Sequence, residues 1–136
     1  MNIVTYSPSG ANCPYYFKGG ILRPLKYGSF FDDMDALKDM IMKEEEFILH
    51  KQPSDKRCIL LDLYETNITT DMVKELVDHI IRISFKIWKL AIVGCNRKVQ
   101  KLILKLLKEG GSPLYSQILF HTDMETAKDW LVSEKG

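Results

Sequence analysis

No run of about 18 apolar residues occurs in the chain, so no segment predicts a membrane-spanning helix. The opening stretch MNIVTYSPSGANC lacks the basic and apolar regions of a secretory signal, and a cytoplasmic location is the expectation. Net charge is nearly absent at +1, while 46% of residues are hydrophobic, which excludes a disordered or supercharged chain. Cysteine is scarce: Cys13, Cys58 and Cys95 cannot all pair with one another, and free thiols in a reducing compartment are expected. The three His and three Cys lack paired metal-ligand spacing, so neither a metal nor a cofactor is expected. No internal repeat or low-complexity tract is present. With 136 residues, the chain reads as one domain.

Periodicity supplies the elements. Residues 3–6 (IVTY) and 15–23 (YYFKGGILR) read as short strands that pair as a hairpin, with Gly19-Gly20 marking a bulge or bend. RPLKYGS is a connector, and Ser29 or Asp32 caps a helix over 31–49 that ends before Pro53. CILLDL (58–63) is a continuous apolar run, as for a strand covered on both faces. A helix over 70–84, a strand IWKLAIVG and an amphipathic helix over 97–109 follow. Gly110 or Gly111 closes that helix in a left-handed cap. A strand QILF and a helix with Thr122 and Glu125 at capping-box spacing complete the chain. The order β-β-α-β-α-β-α-β-α predicts an α/β fold with a mixed, mainly parallel sheet.

In such sheets ligands gather at the carboxyl ends of the strands, where helix N-termini bring unpaired N–H groups together. Three loops lie there: YETNITTD, GCNRK and HTDME. In the first, Thr69 or Thr70 either caps the helix or offers a hydroxyl for phosphorylation or ligand binding. In the second, Asn96 is the expected cap and Arg97 a first-turn cation, but GCNRK lacks the glycines and Lys-Ser/Thr pair of a P-loop. Cys95, at a helix start beside Arg97, could carry a lowered pKa, and His121 could serve Cys95 or Thr70 as a base. A solvated or capping role for His121 is the plainer reading, and His79 is placed near the polar boundary of its helix. Asp62 is expected to receive hydrogen bonds from a neighbouring loop. Between Arg82 and Lys108 all eight charged residues are basic, a polar surface field. The stripe Lys98, Lys101, Lys105 and Lys108 lacks aromatic interleaving, so a solvated face is preferred to nucleic-acid binding. Tyr15, Tyr16, Phe17, Phe30, Phe31 and Trp88 are assigned to the core by default, with a surface patch for homodimer formation as the alternative.

With these elements placed, residues from about 15 to 133 resemble STAS domains of the SpoIIAA-like group. YYFKGGIL, ILLDLYETNITTDMVKEL, LAIVGCNRKVQKLI and ILFHTDMETAKDWL are similar to that family's early strand, switch region, next strand and helix, and closing strand and helix. The resemblance implies a non-enzymatic regulatory module that binds a protein partner, sometimes under phosphorylation of a Ser or Thr after the Asp strand. Here the matching positions are Thr69 and Thr70, although the family's Asp-Ser-Ser/Thr-Gly is replaced by Ile68-Thr69-Thr70-Asp71-Met72. The expected binding residues are Asn67, Thr69, Thr70, Asp71, Asn96 and Arg97. The alternative is a small-molecule or lipid-binding protein, or an enzyme, with a site for an anionic or apolar ligand near Cys95 and His121.

Overall fold

The computed structural model describes residues 5–10, 12–13, 15–51 and 56–133. Residues 3 and 4 of the first expected strand, and Pro53 after the first helix, lie outside them. Thr5–Tyr6 (β1) and Asn12–Cys13 (β2) form a small antiparallel ladder of their own. The predicted pairing of 3–6 with 15–23 is therefore replaced. Tyr15–Phe17 (β3) folds back on Gly20–Lys26 (β4), with Phe17 opposite Gly20. Lys18 and Gly19 form the turn between them, both at positive φ (47° and 82°). Two such residues give the tight turn whose twist suits a hairpin, so Gly19-Gly20 marks a reversal and not a bulge.

β4 also continues through Arg23–Lys26, the stretch expected to be a connector. Pro24 is accommodated because β3 pairs only with Gly20–Leu22, so its missing N–H takes no bond from β3. The remaining strands are Arg57–Asp62 (β5), Ile87–Val93 (β6) and Ile118–His121 (β7). They follow β4 in parallel, giving a five-stranded sheet in the order β3-β4-β5-β6-β7. The mixed, mainly parallel α/β architecture expected from the sequence is present.

Each parallel pair is bridged by a helix: Met34–Lys51 (α1), Thr70–Ile83 (α2) and Arg97–Glu109 (α3). Stepping across a sheet in one direction with crossovers of one hand sends every bridging helix to the same face. Accordingly Leu37, Ile41 and Ile48 of α1, Leu76 and Ile80 of α2, and Ile103 and Leu107 of α3 share one core with Ile59, Leu61, Leu90 and Ile92. Met124–Val132 (α4) covers the other face, where Ala127 and Leu131 pack on Leu22, Leu60, Ala91 and Val93. The alternation of a strand explains this: Ile59 and Leu61 point one way, Leu60 the other. Burying each of these larger aliphatic side chains contributes roughly 1.5–3 kcal/mol.

Among the described residues, buried side-chain polar atoms have hydrogen-bond partners with one exception. His79, expected near a helix boundary, is fully buried: its Nε2 accepts from Tyr27 Oη at 2.8 Å and its Nδ1 donates to Glu45 Oε1 at 2.9 Å. Arg82 Nε donates to both oxygens of the same carboxylate. Lys86 and Lys89, which the sequence groups with the basic surface, are also buried. Lys86 Nζ bonds Ile48 O near the end of α1, and Lys89 Nζ bonds Trp130 O and Ser133 O at the end of α4. Each ammonium thus satisfies carbonyls that a helix C-terminus leaves unpaired. The exception is Glu44, buried in α1, whose Oε1 meets the Ser9 N–H at 3.5 Å and whose Oε2 has no partner.

Helix starts differ in detail from expectation. Asp33, not Ser29 or Asp32, bonds the first turn of α1, through Ala36 N at 3.0 Å. Asp123, not Thr122, caps α4. Gly111 (φ 71°), not Gly110, takes the left-handed position after α3. Of six aromatics assigned to the core, Tyr16, Phe31 and Trp88 are 70%, 54% and 57% exposed.

Candidate functional site

The carboxyl ends of β4, β5 and β6 are joined by backbone hydrogen bonds between loops. After β5, Leu63 N bonds Val93 O. The chain then turns and runs beside the loop after β4: Ser29 N bonds Tyr64 O, Phe31 N bonds Glu65 O, and Asn67 N bonds Phe31 O, at 2.7–2.8 Å. Thr66 Oγ1 locks the same seam, donating to Tyr27 O at 2.8 Å and accepting from Phe30 N at 3.1 Å. Asn67 Nδ2 donates to Asp32 Oδ1 at 2.9 Å, and Ser29 Oγ to Glu65 Oε1 at 3.0 Å.

This seam requires unusual backbone. Ser29, Phe31 and Glu65 all have φ between 51° and 64°, a left-handed conformation that non-glycine residues seldom adopt. Glycine serves where backbones touch. A Cβ on Gly94 (φ 88°) would lie 2.5 Å from Tyr64 N, and one on Gly28 would lie 2.6 Å from Tyr64 O. Strain of this kind, of order 1–3 kcal/mol per residue, persists where surrounding bonds enforce it and gathers at binding and switch regions.

Beside the seam, α2 and α3 open onto the same edge. Thr69 caps α2, its Oγ1 accepting from Met72 N at 3.3 Å, and Asn96 caps α3, its Oδ1 accepting from Val99 N at 2.9 Å. Thr70 is the first residue of α2 and, like Asp71 and Arg97, is exposed. A cleft of about 310 Å³ runs between the two helix starts. Asn67 and Asn96 line it together with Glu65, Ile68 and Cys95, whereas Thr69, Thr70, Asp71 and Arg97 are not part of its wall. The six expected residues therefore share one sheet edge, divided between a cleft and its outer surface.

Cys95 and His121, the groups weighed as nucleophile and base, sit in different surroundings. Burial pushes the Cys95 thiol up to about 11, away from the thiolate that nucleophilic chemistry requires. Expectation overestimated the pull of Arg97, which points into solvent, against the apolar packing of Cys95. His121 Nδ1 accepts from Asp123 N at 2.8 Å, which ties the ring to the start of α4. Asp123 itself is held below the usual carboxylate range, chiefly by its bonds from Thr126. Asp62 receives the Tyr64 N–H at 2.9 Å, a bond from the turn that follows its own strand and not from the neighbouring loop expected, and burial raises its carboxyl. Cys58 and Cys95 are free thiols.

Sequence reasoning missed the seam. Its only visible trace was Gly28 and Gly94, since Ser29, Phe31 and Glu65 carry no sign of a left-handed backbone. Among the described residues, no group of three or more His, Cys, Asp or Glu is placed to hold a metal ion, and no helix is long and apolar enough to cross a membrane. Compared with protein-family models, curated proteins and solved structures, the chain gives no match.

Proposed function

We propose that the chain is a non-enzymatic, STAS-like regulatory or binding module that engages a protein partner through the loop and helix start at 66–74. The observation that carries this reading is Phe31: a large apolar side chain 54% exposed on left-handed backbone, fixed by the seam beside Asn67. An aromatic carried on backbone fixed in this way loses less freedom on docking than one on a loose loop, which suits an interface anchor. Asn67, Thr69, Thr70, Asp71, Asn96 and Arg97 supply a polar surround at the same edge. The element order, with parallel strands added one after another, supports the SpoIIAA-like resemblance. The raised thiol of Cys95 and the tethered ring of His121 favour binding over catalysis.

Phosphate control would act at Thr70. The Thr69 oxygen serves the helix cap, whereas Thr70 is exposed at the first turn. A phosphate there adds charge beside Asp71 and would repel an apolar or acidic partner surface. The test is amine cross-linking in the source cells through exposed Lys74, followed by mass mapping. One partner protein should cross-link to Lys74, and both Phe31→Ala and Thr70→Glu should remove that product while the chain stays folded. Cross-links unchanged in both variants would overturn the reading.

A further inference from the structure

The face covered by α4 carries a second concavity, separate from the edge just described. It has a volume of about 330 Å³, within the size range of small-molecule sites. Its floor is apolar: Leu22 and Pro24 of β4, Leu60 of β5 and Met124 of α4. Its polar groups are few and of both signs: Lys26, Asp62, Lys128 and the Tyr15 hydroxyl.

These groups are positioned by the fold. Lys26 and Asp62 are register partners in neighbouring parallel strands, so their side chains leave the same face of the sheet. Asp62 Oδ1 is occupied by the Tyr64 N–H, which leaves its second oxygen for another donor. Lys128 extends from α4 with its side chain only 15% exposed. Its Nζ lies 3.2 Å from Tyr15 Oη, 3.4 Å from Glu125 Oε2 at the rim, and 5.0 Å and 5.5 Å from the ring centres of Tyr15 and Phe17. The two rings and the hydroxyl hold the ammonium at the mouth of the concavity. A largely desolvated cation over aromatic faces attracts an anion more strongly than a solvated one.

From this juxtaposition we infer a binding site for a free apolar α-amino acid. Its carboxylate is received by Lys128 and Lys26, its ammonium by Asp62, and its side chain by Leu22, Pro24, Leu60 and Met124. A carboxylic acid without an amine would set its carboxylate near Asp62 with no ammonium between them, and an amine without a carboxylate would face the two lysine ammoniums. The site therefore selects the zwitterion, because a ligand with one charge alone meets like charge that it cannot offset.

The experiment is a ¹H–¹⁵N NMR titration of the whole chain with phenylalanine, 3-phenylpropionate and phenethylamine. Phenylalanine should give saturable shifts confined to residues 22–26, 60–62 and 124–128, with each analogue binding about tenfold more weakly or worse. Asp62→Asn should narrow the gap between phenylalanine and 3-phenylpropionate, and the exposed-site variant Lys26→Gln should weaken both carboxylates. A well-dispersed spectrum with no saturable shifts at these positions would overturn the site. Equal affinity for phenylalanine and 3-phenylpropionate would overturn the zwitterion assignment. Neither result bears on the edge at 66–74.

Discussion

At the scale of single residues, two buried titratable groups pull stability in opposite directions. Burial lowers His79 below its ordinary value of 6.5, so between the two values the unfolded chain holds the extra proton. That contribution is full above 6.5 and is lost as pH falls through this window. Glu44 behaves inversely. Burial raises it above 4.5, against the hydrogen bonds of Ser7 and Ser9 and the charge of Arg23. The folded chain then keeps its proton longer, and the contribution is full below 4.5 and lost as pH rises through the raised value. Acidification between 6.5 and 4.5 therefore weakens the fold through His79 and strengthens it through Glu44. Glu44→Gln removes only the second effect. Urea melts should show the variant losing more stability than the parent between about pH 7 and about pH 5. Equal losses would refute the opposition. The hydrogen bonds also set a tautomer: with Glu45 ionised, His79 carries its proton on Nδ1 and accepts from Tyr27.

At the scale of elements, the helix starts separate two adjacent threonines that the sequence leaves equivalent. Thr69→Ala deletes the cap of α2 and should cost about 1 kcal/mol, whereas Thr70→Ala should change stability by less than about 0.5 kcal/mol. Gly94→Ala should cost more than either, at least about 2 kcal/mol, because its Cβ meets backbone that cannot move aside and its φ is left-handed. Thermal or urea unfolding of the three variants checks the ranking, and a Gly94→Ala protein as stable as Thr70→Ala would contradict the seam. These cases also mark what a sequence discloses about an element. The bounds of α3, 97–109, and the start of α2 were legible, because a strong apolar stripe and a polar cap point the same way. Asp33 and Asp123 were missed as caps because the neighbouring Asp32 and Thr122 satisfy the same pattern. Only the φ and ψ of the chain decide between them.

At the scale of the whole molecule, the sheet separates a thick layer from a thin one. Three helices share the core on one face, while among the described residues α4 is the one helix on the other. The alternation of strands and helices after residue 57 disclosed the parallel sheet. It could not disclose that 15–26 is a hairpin, since a positive φ at Lys18 leaves no mark in composition. Nor could it find the buried basic residues. Lys89 lies among eight like charges in the sequence, yet is 4% exposed beneath α4. The bonds from Lys86 to Ile48 O and from Lys89 to the last carbonyls of α4 give the chain two shielded amines, one beneath each helical layer. An acylating reagent that modifies Lys98, Lys101 and Lys105 within seconds should reach these two only when the helix above lets go. Timed acylation followed by peptide mapping would thus clock the release of α4 at Lys89 and of α1 at Lys86. The thinner layer should release first, so Lys89 should react before Lys86, and the reverse order would mean that α4 is held more firmly than its lone position implies. Either way, the chain carries its own pair of chemical stopwatches.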